Sequence, residues 1–196
     1  AEADGTPAPG AALNVSLDIP DADLTVFDPE GRECGKDGSN IPGAQFLTDD
    51  LGRQTVVLPE LKSGNYRFVV KGKKDAAGQL TVTTLKDDAE IAAETLDVEV
   101  KAHRSARVPA ALLLTDDGGP RFIYGRPNAT KKPDGAEMKG DVNADGKVDI
   151  GDVMKAASKW DKKQGDEEFD EFYDFDGDGD IDMMDIMQIA GDWYVP

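Results

Sequence analysis

Asp174 to Asp185 reads D-F-D-G-D-G-D-I-D-M-M-D, six aspartates in twelve residues with Gly179 at the sixth place. Carboxylates at the first, third and fifth positions of a twelve-residue loop can converge on one hard cation. A glycine at the sixth permits the sharp turn that brings them together. The spacing makes Asp174, Asp176 and Asp178 side-chain ligands, and the backbone carbonyl of Asp180 a fourth. Asp182 would act directly or through a water, and Asp185 closes the shell. Ile181, at the eighth position, is the apolar residue expected where the loop backbone pairs with a neighbour and turns one side chain inward.

Shifting the tail against itself by 33 residues aligns a second loop, with acceptors at Asp141, Asn143, Asp145, Asp149 and Asp152 and the carbonyl of Lys147 at the seventh place. Gly146 and Val148 repeat the glycine and the apolar residue. Beyond the loops Val153 aligns with Ile186, Met154 with Met187, Ala157 with Ala190 and Trp160 with Trp193. That spacing predicts a helix with one apolar face after each loop, too short to stand alone, and a pairing that buries the two tryptophan-ended faces together. One D-x-D-x-D-G is ordinarily a solvated acidic turn, but two copies with matching helices point to metal. So many carboxylates in one loop repel one another strongly without a cation, which makes the ion a folding element.

The tail, about residues 139–194, resembles a dockerin module, an EF-hand variant without the entering helix and with aspartate in place of glutamate at the twelfth position, as at Asp152 and Asp185. The resemblance implies two bound Ca2+ ions, an extracellular setting, and docking onto a cohesin-type receptor or a neighbouring domain. Two departures leave the partner open. The Ser/Thr pair common at positions ten and eleven is replaced by Ile150-Gly151 and Met183-Met184, and the segment from Asp161 to Tyr173 is longer than the usual connection. That segment, with Phe169, Phe172 and Tyr173, can form a short helix leading into the second loop. Met183 and Met184 suit a soft contact surface or the filling of a small core.

Ahead of the tail the period is two. Leu13, Val15, Leu17 and Ile19 alternate with polar residues, and short strands follow at 24–27, 54–58, 66–71, 79–85, 96–101, 107–115 and 121–124. On the strand at 66–71, Tyr66, Phe68 and Val70 share one face, Arg67, Val69 and Lys71 the other. Asp87 to Glu94 can make a helical turn. The expected fold is mainly β plus small α: an N-terminal antiparallel β-sandwich followed by a dockerin-like domain of two EF-hand-like loop-helix repeats. The stretches D-P-E-G-R at 28–32, I-P-G-A at 41–44 and L-K-S-G-N-Y-R-F-V-V at 61–70 resemble a bacterial secreted β-sandwich tail module, similar to the pre-peptidase C-terminal type. This implies a non-catalytic role in adhesion, spacing or stabilisation. The segments are an arm (1–12), the sandwich (13–124), a turn-rich solvated linker (125–140) and the calcium domain (141–196).

The net charge of −18, from 40 acidic and 22 basic residues, repels nucleic acid and anionic membrane surfaces. Residues 141–196 hold 17 acidic and 5 basic residues, so the charge asymmetry falls at the linker. No apolar run approaches the roughly 18–20 residues of a membrane-spanning helix. Cys34 and His103 are the single residues of their kinds, which excludes an intramolecular disulfide and leaves no nucleophile triad or Cys/His zinc set. The clustered carboxylates are assigned to calcium, so no enzyme is expected. Asp18, Asp21, Asp23, Asp28 and Glu30 could bind a further ion, although acidic turns are usually only solvated. Asn14 and Asn128 fit the glycosylation sequon. The alanine start suits a processed secreted protein or a fragment. Two functions remain: a calcium-dependent interaction module with a protein partner, or a subunit of an extracellular fibre or surface layer. In the fibre, residues 1–20 would add a strand to an identical neighbouring subunit.

Overall fold

A computed structural model describes residues 5–115, 119–129 and 131–196. The strands are β1 (Pro7–Ala8), β2 (Ala11–Asp18), β3 (Ala22–Phe27), β4 (Glu33–Gly35), β5 (Gly38–Ser39), β6 (Gln45–Thr48), β7 (Gln54–Leu58), β8 (Leu61–Lys62), β9 (Gly64–Gly72), β10 (Ala76–Lys86), β11 (Ala89–Val100), β12 (Arg104–Leu114), β13 (Pro120–Tyr124) and β14 (Asn128–Ala129). Two helices follow, α1 (Ile150–Ala157) and α2 (Met183–Gly191). The chain is mainly β with a small helical tail, and no helix among the described residues is long and apolar enough to cross a membrane.

One sheet runs β11-β10-β2-β7-β6 and a second β13-β12-β9-β3-β4-β5, every pairing antiparallel. Alternation puts one side of each strand into a shared core. Leu13, Val15 and Leu17 of β2 and Leu80 and Val82 of β10 meet Leu24 and Val26, Phe68 and Val70, and Val108 and Leu112 of the second sheet. Gln54 ties the sheets through the buried interior, accepting from Leu24 N and donating to Ala22 O, both at 2.8 Å.

Three local expectations are corrected. Asp87 and Asp88 are the two central residues of a hairpin turn, both at positive φ (51° and 65°), and Ala89 already begins β11 rather than a helical turn. The first half of β11 is exposed on both faces, so its sequence carries no period to read. Residues 7–18 are not a free arm: Pro7–Ala8 pairs with Leu61–Lys62, and β2 lies between β7 and β10. Residues 1–4 of the expected arm lie outside the described residues. The acids of the first turns are satisfied by cations, Asp23 by Lys36 and Lys73, Asp28 by Arg32, and Glu30 by Arg32 and Lys62.

The expected solvated linker is held at several of its described residues. Gly125 N donates to Pro109 O, β14 pairs with β12, Lys132 binds Asp192 at 2.6 Å, and Met138 is buried in the tail's own core. The side chain of Asn128 and all of Thr130, which complete the second sequon, lie outside the described residues. The outer face of β3, β9 and β12 carries the tail. Phe27 and Val69 enclose Ala144, the Lys71 ammonium donates to Tyr173 Oη at 3.2 Å, and Lys36 bridges Asp23 and Asp170 at 2.6 and 2.8 Å. Lys155 pairs with Glu33, and Lys159 with Asp37 at 2.7 Å. His103 donates Nδ1–H to Phe172 O at 3.2 Å and lies against Phe175. The Arg67–Val69–Lys71 side of β9 is thus covered rather than solvated.

Candidate metal centre

The two loops share most of one hydrogen-bond scheme, differing in one amide at the first position. At the first position Asp141 accepts from Asp145 N (3.0 Å) and Gly146 N (2.9 Å), and Asp174 from Gly177 N (2.7 Å) and Gly179 N (3.0 Å). Gly146 and Gly179 both have φ of +90°, which a side chain would strain. At the third position Asn143 and Asp176 accept from the amides of Asp145 and Asp178, and at the fifth Asp145 and Asp178 accept from those of Lys147 and Asp180. Asp152 accepts from the amides of Val142, Asn143 and Asp149, Asp185 from those of Phe175, Asp176 and Asp182. Asp152 and Asp185 are fully buried, at 0% exposure.

These bonds orient the carboxylates inward. Asp174, Asp176 and Asp185 each place a ligand oxygen within 4.8 Å of the other two. Asp149 and Asp182, expected at the ninth place, cap the helices, accepting from Gly151 N (2.7 Å) and Met184 N (2.6 Å). The Asp180 side chain turns out to Lys163 at 2.8 Å, and that of Lys147 is exposed, so both seventh residues have only a carbonyl to offer. Burial first, and then the neighbouring carboxylates Asp152 and Asp145, push Asp141 up to about 7 against the pull of the Gly146 amide. Burial likewise pushes Asp152 up to about 6. Oxygen donors converging from one loop, buried at the first and twelfth positions and more exposed at the third and fifth, fit a hard cation.

The residues at the eighth position pair crosswise. Val148 exchanges backbone hydrogen bonds with Tyr194, the chain following α2, while Ile181 bonds to Asp161 and Lys162, the chain following α1. Each loop is thereby closed by the exit of the other helix. Both side chains enter a core of Met138, Val142, Ala156, Phe172, Tyr173 and Ile189. Phe172 and Tyr173 arrive on a 3-10 turn, Glu171–Tyr173, capped by Asp170.

The tryptophans are a correction. Trp160 and Trp193 are 45% and 52% exposed, with Met154 and Met187 at 65% and 59%. The inward row of each helix is Asp152–Val153–Ala156 and Asp185–Ile186–Ile189. The aspartate at the twelfth position sets the phase: facing the loop, it carries the next and fourth-next residues inward with it. Of the expected face, Val153 and Ile186 do turn inward, while Met154, Ala157 and Trp160, and Met187, Ala190 and Trp193, lie outside, where Ile150, Met183 and Met184 extend them.

Residues 139–191 match the family model of the dockerin type I domain, about a quarter of the chain, supporting the dockerin module at the C-terminal end. No curated protein and no solved structure matches the chain.

Proposed function

We propose that this is a non-catalytic, extracellular calcium-binding interaction protein: a β-sandwich body of the secreted tail-module kind, carrying an EF-hand-like tandem that binds two Ca2+ and docks a protein partner. In the first site the oxygens of Asp141, Asn143, Asp145 and Asp152 with the Lys147 carbonyl surround the ion. In the second Asp174, Asp176, Asp178, Asp185 and the Asp180 carbonyl do so. Asp149 and Asp182 reach each ion through water while capping the helices. The observation that carries the docking role is the repetition of one exposed apolar face: Ile150, Met154 and Trp160 on one repeat, and Met183, Met187 and Trp193 on the other. Methionine and tryptophan left in water at matching positions suit a contact surface, and a cohesin-type receptor is the first partner to try.

The experiment is capture from an extracellular fraction, with and without calcium, by the intact protein and by Met154→Glu/Met187→Glu. A partner held only with calcium and lost in the double variant supports the reading; a partner equally held by chelated protein contradicts it.

The fibre reading is favoured by one feature, the outer edge of β11 in the first sheet, whose residues 89–95 are exposed. Because β2 already has a partner on each side, any donated strand must come from ahead of Ala11. Electron microscopy of calcium-loaded protein decides it: filaments support this reading, and monomers at high concentration exclude it.

A further inference from the structure

The first loop is enclosed by more than the tail. Its fourth residue, Ala144, is sealed against Phe27 and Val69 on the outer face of β3 and β9. On that face Arg67 stands opposite Phe27 with its guanidinium carbon 4.1 Å from the ring centre, and Arg107 stands opposite Val69. A β-carbon added at Gly146, the turn of the loop, would lie 3.8 Å from Arg107 Nη1. The Nε atoms of both arginines are buried without a hydrogen-bond partner. Burial holds the Arg67 guanidinium below its usual basicity; Asp145 offsets this most, Arg107 adds to it, and Asp141 offsets it further. Both aspartates are ligand positions of the first loop.

The second loop touches the β body differently, through Phe175 against His103, and among the described residues no arginine stands beside its turn. Gln164 is the side chain nearest to Gly179, and Lys163 pairs with the outward Asp180 carboxylate in an exposed position. The loops also differ in themselves, since Asn143 and Lys147 stand where the second loop has Asp176 and Asp180.

We propose that Arg67 and Arg107 of the β body are functional parts of the first cation site, where their charge opposes the ion and makes this the weaker of the two calcium sites. The inference rests on the calcium reading above. The sign follows from what holds the carboxylates. Asp141 and Asp152 are already oriented by amides of their own loop, so the guanidinium groups are not needed to aim them and act chiefly as charge. A unit positive charge beside a divalent-ion site, screened by a medium between protein interior and water, changes affinity on the order of tenfold. The arrangement also ties filling of the first site to the seating of the tail on the sheet.

The test is a titration of the full chain with calcium alone, followed by amide NMR at Gly146 and Gly179, one reporter per loop. Gly179 is expected to saturate first. Arg67→Met and Arg107→Met are each expected to tighten the Gly146 transition about tenfold, with Gly179 unmoved. Arg107→Met serves as the second variant because Arg67 also packs on Phe27. Failure of both substitutions to move Gly146, or weaker binding there, overturns the inference while leaving the calcium reading intact. Silence of both glycines toward calcium overturns that reading and the inference with it.

Discussion

Lys36 and Lys71 meet one acidic neighbourhood with opposite outcomes. Burial opposes the charge on Lys36, but Asp170 and Asp23 outweigh it and hold the ammonium above its usual range. Lys71 is wholly enclosed, and burial keeps its ammonium below the usual range despite Asp170, Glu33 and Asp37, with Tyr173 Oη as its hydrogen-bond partner. Removing Lys36 leaves the buried Asp170 without its cation, whereas removing Lys71 relieves a desolvated charge. Lys36→Met is expected to cost about 3 kcal/mol in urea denaturation of the calcium-loaded protein, and Lys71→Met to stay within about 1 kcal/mol of the parent. The reverse order would contradict this account of the interface. At this scale the spacing that brings Asp174, Asp176 and Asp185 together was legible, because it falls within twelve residues. The Lys71–Tyr173 contact spans 102 residues and no local pattern encodes it.

The elements teach a sharper lesson about period. α1 and α2 are two turns long and apolar on more than one side, so counting apolar residues offers two faces and no means of choosing between them. Met154, Ala157 and Trp160 look as much like a core stripe as Val153 and Ala156 do. The choice was nevertheless available from Asp152 and Asp185: an aspartate aimed into its loop fixes the helix rotation, and tryptophan then falls outside. The crosswise strand pairs at Val148–Tyr194 and Ile181–Lys162 were visible only as an apolar eighth residue, since their partners lie beyond the opposite helix. The contrast can be measured by thermal melting with calcium present. Ile189→Ala, in the inner row, is expected to cost about 3 kcal/mol, and Met187→Glu, in the outer row, less than about 0.5 kcal/mol. Equal losses would mean that the outer face is not free.

Across the whole molecule, the charge step falls between the last strands and the first loop of the tail. What it conceals is contact. Met138 anchors the junction in the tail's core, and Phe27, Val69 and Lys71 lie beneath the tail on a sheet face that alternation alone would leave to solvent. On the proposed calcium reading the metal would matter twice, for the tail's own fold and for the cover it gives the sheet. The measurement that reaches this claim most directly is hydrogen–deuterium exchange of the intact chain with calcium and with chelator. Chelation is expected to deprotect the amides of α1 and α2 to near the unfolded rate and to loosen the tail's contact with β9, while β2, β10 and the inner core strands stay protected. Helices equally protected in chelator would contradict a tail folded around calcium.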